Sequence, residues 1–586
     1  MKIKNAILMV AVSTAAVCMG CGLDMDKAAP LPTTPSGPFA VLLSIDGGIP
    51  EFAGPEQMFD PGVMSQFELL KTLRKATYDL NVQEIVVRIG SPSLSLARAS
   101  EIVAALKQVT ASGKKLVCHF DEADNVGYFI AASGCPKIMV SPAGGVSALG
   151  IAAEPLFVRE FLASFGIEAD MLHMGKYKDA MEPLMRDTMS PESKESLESL
   201  LKELHRIFVE GIGTGRKIAA ADVQALIDGG PYDSKESQKA KLVDEILPLS
   251  VYLDQLKDKY AGGVDDEYGK PPVQQFSFSE LMKVFGGGKP AETEKKNDRI
   301  AVVPVVGTIM SGQGEELMGA SGNVYDFDVN QTLSDVARDD TVKAVVLRID
   351  SPGGSVIASD NIWHAVRALA KKKPVVASFG DVAASGGYYI ASAATEVYSI
   401  PATITGSIGV VGGKMVFSGA ADKLGVHSER IQTGKNAGLE SPFSKFSDTE
   451  RSAVMHTMQS AYDMFIDRVV EGRGLKRDKV LEVAEGRVWT GTQALSFGLV
   501  TKMGSLDDAT SRARELAKVA AGTPAEIVPK PKNLMDFINE AFGQPQASIA
   551  GKVISRLPAA ELALSVASMF VDEHVLAVSP VFVQVR

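Results

Sequence analysis

One pattern occurs twice along this chain. VQEIVVRIGSPSLS begins at Val82, and VKAVVLRIDSPGGS begins 260 residues later at Val342. The same spacing carries Gly127, Tyr128 and Ile130 onto Gly387, Tyr388 and Ile390. A period of this size is a duplicated domain, because solenoid units repeat every ~20–50 residues. Whatever fold one copy adopts, the other must adopt a version of it. The copies differ where chemistry could reside. Ser385 in the second stands opposite Asn125 in the first, and Lys178 in GKYKDAMEP stands opposite Ala437 in GKNAGLESP. A serine becomes a nucleophile at neutral pH only when a base activates it. The candidate serine and the candidate lysine lie in opposite repeats, which points to one site built across the duplicated fold.

Each repeat opens with an apolar strand, at 39–45 and 300–306, and continues with a second strand at 84–89 and 344–349. A helix follows at 97–110 and 359–371, then a third strand at 115–120 and 374–379. Short apolar runs alternating with helical patterns predict an α/β fold: mostly parallel sheets flanked by helices, in two tandem domains. A long helix comes next in each copy. Ser190-Pro191-Glu192 starts the first, with serine as N-cap and proline at the first helical position. Ser447-Asp448-Thr449-Glu450 is a capping box for the second. The chain divides into a leader (1–21), a tether (22–37), a lysine-bearing repeat (38–260), a linker (261–299), a serine-bearing repeat (300–520) and a C-terminal extension (521–586). Short amphipathic segments are expected at 276–285 and 534–542. The apolar stretch at 562–571 is broken by Asp572, Glu573 and His574, so it does not read as a transmembrane span.

The leader has a secretory layout: Lys2 and Lys4 precede an apolar run from Ala6 to Met19. It ends in Val17-Cys18-Met19-Gly20-Cys21, which resembles a bacterial lipobox with Cys21 as the lipidated residue. An ordinary cleaved signal and an uncleaved anchor are the alternatives. The expectation is an exported protein, anchored on the periplasmic side of a bacterial envelope, at the inner or the outer membrane. A net charge of −11, without a basic run, gives nucleic-acid binding no electrostatic support. No Cys/His cluster has metal-ligand spacing, so no metal and no cofactor is expected. Cys118 and Cys135 could pair in an exported protein, but the reading favoured here is two small buried thiols.

Ser385 sits in DVAASGGYY, between a strand ending near Phe379 and a helix running through Ile390. A serine at such a turn presents its hydroxyl outward, and the following amide, on Gly386, is placed at a helix N-terminus where negative charge is favoured. The plain structural alternative is a serine N-cap beside a tight glycine turn. Ser351-Pro352-Gly353-Gly354-Ser355 can aim a second amide at the same carbonyl oxygen, as a tetrahedral intermediate requires. The first repeat has lost both the glycines, having Ser93-Leu94-Ser95 there, and the serine nucleophile. That joint loss ties the glycines to the serine's chemistry. For the base, Lys178 lies among Tyr177, Ala180, Met181 and Leu184, and burial would lower its pKa. Lys176 is the near alternative, although its counterpart Lys435 survives in the second repeat. A Ser-His-Asp triad also stays open, because triad partners need not be close in sequence.

DVAASGGYY, DSPGGS, TGSIG and GKYKDAMEP together resemble the signal peptide peptidase A (protease IV) family in its tandem-repeat form, over about 39–520. The resemblance implies a Clp-protease/crotonase-like fold and a membrane-associated serine endopeptidase that cuts apolar peptides such as cleaved signal peptides. It implies Ser385 as nucleophile, Lys178 as general base, Ser407 as the residue orienting the lysine, and Gly354 and Gly386 as oxyanion-hole amides. It also implies a homotetramer. Two other classes stand beside this reading: a crotonase-type acyl-CoA enzyme, which needs no serine nucleophile, and an inactive lipid-anchored scaffold.

Overall fold

The computed structural model describes residues 37–52, 64–270, 297–314, 322–530 and 575–578. The expected leader with Cys21, the amphipathic segments at 276–285 and 534–542, and the apolar stretch at 562–571 lie outside these residues. No helix among the described residues is long and apolar enough to cross a membrane.

The first repeat contains β1 (Phe39–Gly47), β2 (Val82–Pro92), α1 (Leu96–Ala111), β3 (Lys115–Ala123), α2 (Asn125–Gly134) and β4 (Lys137–Val146). These strands pair in parallel in the spatial order β4-β3-β2-β1. Runs such as Ile85-Val86-Val87 are buried throughout, as strands covered by helices on both faces must be. An arm strand, β5 (Glu168–Met174), and the long helix α3 (Pro191–Arg216) follow. Ser190 caps α3 as its sequence predicts, accepting from the Ser193 amide.

The second repeat runs through β6 (Arg299–Val306), β7 (Thr308–Met310), β8 (Val342–Ser351), β9 (Gly353–Ser355), α4 (Val356–Ala370), β10 (Val375–Ala384), α5 (Gly386–Ala391), β11 (Ile404–Gly406), β12 (Val410–Val416) and α6 (Asp448–Arg473). Its main sheet orders these strands β11-β10-β8-β6. The capping box at Ser447 and Glu450 forms at α6. The strand expected to end near Phe379 continues to Ala384. A register shift after Ile349 lets its second half pair with β11, which carries the chain straight to Ser385.

A third sheet joins the repeats and has no counterpart in the sequence reading. It contains β7, β9, β12 and β5, with a tail strand, β13 (Val575–Val578), between β9 and β12. Arm strand β5 of the first repeat pairs antiparallel with β12 of the second from Met174–Val410 to Glu168–Val416. A charged cluster closes the junction. Arg348, fully buried on β8, reaches Glu51 Oε1 at 2.8 Å and Glu101 Oε2 at 2.6 Å, both in the first repeat. Its remaining guanidinium donors go to Ser378 Oγ and the Phe379 carbonyl. Charges taken out of water are tolerable only when they are paired and hydrogen-bonded in this way.

The reading of Cys118 and Cys135 as free thiols is corrected. They form a disulfide, because β3 and the C-terminal end of α2 bring their Cα atoms to 5.9 Å, within bonding reach.

Candidate active site

Three segments meet at Ser385. The hydroxyl-bearing residue links β10 to α5, and the backbone there takes φ +53°, an unusual value for a residue with a side chain. Its side chain makes no capping hydrogen bond to α5, so the N-cap alternative fails. Its amide donates to the Gly406 carbonyl at 2.8 Å. Ser407, just beyond β11, also has positive φ, +51°. Such conformations cost ~1–3 kcal/mol each and persist where the surroundings over-determine them.

The third segment comes from the other repeat. After β5 the chain turns at Gly175 and runs along the edge of residues 485–487: the Tyr177 amide donates to the Glu485 carbonyl at 2.8 Å. Gly486 is essential to this approach, since a Cβ there would lie 2.5 Å from Lys178 Cβ. Thus clasped, Lys178 projects its Nζ to 2.7 Å from Ser385 Oγ, 2.9 Å from Ser407 Oγ and 2.8 Å from the Ser407 carbonyl oxygen. Lys178 is 2% exposed, and both serines are fully buried.

Burial without a carboxylate partner for Nζ holds the Lys178 ammonium well below its ordinary pKa. Asp179 opposes this shift, but burial pushes Asp179 itself toward its neutral form. A neutral amine against a hydroxyl is poised to take its proton. Beside it, the backbone of Gly386 abuts the β9 strand. A Cβ on Gly386 would meet Ser359 Oγ at 2.6 Å and Gly354 N at 3.1 Å. A Cβ on Gly354 would lie 1.9 Å from the Ile309 carbonyl, so only glycine fits there. As the first residue of α5, Gly386 has an amide that needs no acceptor within its helix.

The alternative bases lie elsewhere. Lys176 is exposed and pairs with Glu485 at 3.6 Å. His364 pairs with Asp360 and His427 with Asp422, both histidines at the surface. Ser385, Lys178, Ser407, Gly354 and Gly386 therefore come together from the two repeats. Cys21 lies outside the described residues.

Comparison with known proteins agrees with this architecture. The model of Peptidase family S49 matches twice, at residues 108–261 and 367–520. The chain belongs to this peptidase family. It is a serine peptidase with two tandem family domains of mostly parallel sheets flanked by helices. Protease 4 of Salmonella typhi is 31% identical over 508 residues, spanning 84% of this chain and 79% of that protein. The chloroplastic serine protease SPPA of Arabidopsis thaliana is 30% identical over 467 residues, spanning 79% of this chain and 67% of its own length. Among solved structures, a ClpP1 mutant from Listeria monocytogenes aligns with 36% of this chain and 94% of its own, at 16% identity and a TM-score of 0.23.

Two features of this peptidase escaped the sequence. The clasp at Glu485–Arg487 sits at the start of the segment EGRVWTG, which leads into β11's antiparallel neighbour at Val488–Thr490. Its signal was Gly486, whose φ of +80° fits a tight approach. The other is a partly buried acidic pair upstream of the nucleophile. Asp350 accepts from the Val382 amide at 3.0 Å, and Asp381 accepts from Ser95 of the first repeat. Burial, with Asp381 and Glu51 nearby, pushes Asp350 up to about 8; burial likewise pushes Asp381 up to about 6.

Proposed function

We propose that this peptidase hydrolyses peptide bonds through an acyl-enzyme on Ser385, with Lys178 as general base. The observation that carries the reading is the 2.7 Å contact between two buried groups from opposite repeats. Neutral Lys178 takes the hydroxyl proton as Ser385 Oγ bonds to the carbonyl carbon. The Gly354 and Gly386 amides stabilise the oxyanion, and Ser407 holds the amine in line. Collapse breaks the C–N bond, and the lysine returns its proton to the departing amine. Water then loses a proton to Lys178 and attacks the ester, releasing the acid and restoring Ser385.

The substrates proposed are apolar peptides such as cleaved signal peptides, met at a membrane to which lipidated Cys21 tethers the chain. The periplasmic side of a bacterial envelope fits the leader, and the Cys118–Cys135 disulfide supports an oxidising compartment. A homotetramer is proposed on internal symmetry. In the first repeat, the segment Gly166–Gly175 contains arm strand β5 (Glu168–Met174), which pairs with β12. The matching segment of the second repeat, Gly425–Gly434, forms no strand and exposes Val426 at 54% and Ile431 at 97%. Its natural acceptor is the first repeat of another copy, at 150–156, where Leu156 is exposed.

The test is covalent labelling by a fluorophosphonate together with cleavage of an apolar signal-peptide substrate. Both are expected in the parent and absent in Ser385→Ala. Full turnover by Ser385→Ala sinks the assignment. Ile431→Asp is expected to lower the oligomeric mass measured by light scattering, and an unchanged mass removes the proposed contact.

A further inference from the structure

One arginine of the second repeat is built into the approach of the lysine. Arg487 follows Gly486 and stands just before the strand Val488–Thr490. Its carbonyl accepts from the Ser407 amide at 2.8 Å, so its backbone fixes a residue that bonds Lys178 Nζ. Its side chain turns to the other repeat. The guanidinium carbon lies 4.6 Å from the Trp489 ring centroid and 4.8 Å from that of Tyr177, the residue before Lys178. Nη1 donates to Glu195 Oε1 of α3 at 2.7 Å, and the Tyr177 hydroxyl donates to Glu195 Oε2 at 3.1 Å. Arginine, glutamate and tyrosine thus close a ring, with a planar cation stacked on aromatics and paired to a carboxylate. Trp489 is itself held, its Nε1 donating to the Val483 carbonyl at 2.8 Å. The Arg487 side chain is 17% exposed but Glu195 is 57% exposed, so the pair matters for geometry more than for charge.

The duplication supplies a control. Asp233 and Thr490 open matching capping boxes, so Arg487 corresponds to Gly230. Ser190 and Ser447 cap matching helices, so Glu195 corresponds to Ser452. Tyr177, beside Lys178, corresponds to Asn436, beside Ala437. The corresponding trio has no guanidinium, no carboxylate and no ring. The clamp exists only where there is a lysine to hold, and a contact that served the fold alone has no reason to follow the lysine.

We propose that Arg487 is a positioning residue for the general base: with Tyr177 and Glu195 it sets where the Lys178 amine meets Ser385 Oγ, and its carbonyl holds Ser407 in the same frame. This rests on the peptidase reading above and extends it to a group that touches no reacting atom. Lys178 Nζ meets three oxygens at 2.7 to 2.9 Å, which requires its backbone to be placed within about 0.5 Å. The other charged groups beside it are Asp179, next in the chain, and the surface pair of Lys176 with Glu485. Burial is what lowers the Lys178 pKa. Loosening the clamp lets water reach the amine and moves that pKa up.

The experiment measures kcat, KM and the pH dependence of kcat/KM on an apolar signal-peptide substrate, with fluorophosphonate labelling and thermal melts of the same proteins. The full chain is compared with Arg487→Met, Arg487→Lys and Lys176→Met. Arg487→Met is expected to lower kcat about 10–100-fold at nearly unchanged KM, and to move the rise of kcat/KM to higher pH. Arg487→Lys keeps a charge for Glu195 but not the planar stack, so it should fall between the parent and Arg487→Met. Lys176→Met removes the other cation over the Tyr177 ring, 5.1 Å from its centroid, and should match the parent. Parent-like kcat and pH profiles in both Arg487 variants overturn the proposal. So does an equal loss in Lys176→Met, or a loss that follows only the folded fraction in the melts with the pH profile unmoved. If Arg487→Met does not fold, Arg487→Lys and Tyr177→Phe, which keeps the ring and breaks its bond to Glu195, decide by the same measurements. An unlabelled parent ends the peptidase reading and the clamp with it, whereas a labelled parent with parent-like variants ends only the clamp.

Discussion

The two repeats enter the same helix in different ways. In the first, Asp124 has an ordinary extended backbone (φ −74°) and caps α2, its carboxylate accepting from the Gly127 amide at 2.7 Å. Asn125 then braces the next loop, accepting from the Leu149 and Gly150 amides and donating to the Gly150 carbonyl. In the second, Ala384 stands where Asp124 does, and the residue before the helix is Ser385, held at φ +53° with no capping bond. One copy has spent this turn on stability, the other on presenting a hydroxyl. The arms diverge in the same sense. Lys178 is buried against the opposite repeat, whereas its counterpart Ala437 lies exposed. Backbone strain and a buried amine without a counter-charge cluster where chemistry uses them.

The largest effect expected from breaking this division of labour comes at the lysine. Lys178→Met should lower kcat by roughly 10⁴-fold or more, as loss of an activating base does in other serine hydrolases. It should also raise stability at neutral pH. The folded pKa of Lys178 is depressed, so between that value and 10.5 the unfolded chain binds a proton that the folded chain does not. Parent stability should therefore rise with pH up to the lysine's ordinary range, and the variant should lack that component. Thermal melts across pH, beside turnover, check both halves. A variant that is dead and also less stable at pH 7 would mean that the amine is not held desolvated. In the parent, kcat/KM should climb with pH through the lowered pKa; a flat profile counts against a lysine base. Ser407→Ala removes one of the oxygens around Nζ but leaves the Ser407 carbonyl, so a smaller loss, about 10–100-fold, is expected. Steady-state kinetics that matched the parent would reduce Ser407 to a structural role.

Much of this was legible in the sequence because duplication supplies its own control. The α/β strands and helices followed from apolar runs and caps, and Ser190 and Ser447 mark helix starts that the structure reproduces. Asymmetry between copies singled out Ser385 and Lys178, and the structure puts them in contact. Long-range pairing was hidden. Nothing local in Glu168–Met174 says that it will join β12 some 240 residues on, because strand partners are chosen by tertiary packing. The Cys118–Cys135 bond was missed for a related reason: spacing alone does not reveal that a strand and a helix end face each other. Arg348 is one charge in an apolar strand, yet it is the centre of the inter-repeat cluster, whereas its counterpart Arg88 lies half-exposed against Asp46.

A milder test sharpens the comparison at the relaxed turn. Asn125→Ala removes the bracing of Leu149 and Gly150 and should cost about 1–3 kcal/mol of stability, with little change in turnover. Asn125→Ser should add no second labelled serine, because Ala437 offers no amine to activate one. Labelling at position 125 in a Ser385→Ala background would refute the idea that the serine needs its lysine.

The smallest effect concerns two carboxylates with the same local task. Asp46 in the first repeat accepts from the Ser91 amide and pairs with Arg88 at the surface, which holds its pKa below the usual value. Asp350 in the second accepts from the Val382 amide, but burial pushes it up to about 8. The signs of their pH dependence are opposite. From about pH 4 to about pH 8 the unfolded chain has lost the Asp350 proton while the folded chain keeps it, so this group lowers stability progressively as pH rises. Asp350→Asn retains an oxygen for the Val382 amide and removes the ionisable group. It should match the parent near pH 4 and melt higher near pH 8. Asp46→Asn should do the reverse, being slightly less stable than the parent at neutral pH and converging with it in acid, with a gap narrowed by solvent screening. A melting difference for Asp350→Asn that does not widen with pH would show that the second repeat accommodates a charged Asp350, and that the two turns differ in geometry but not in electrostatic cost.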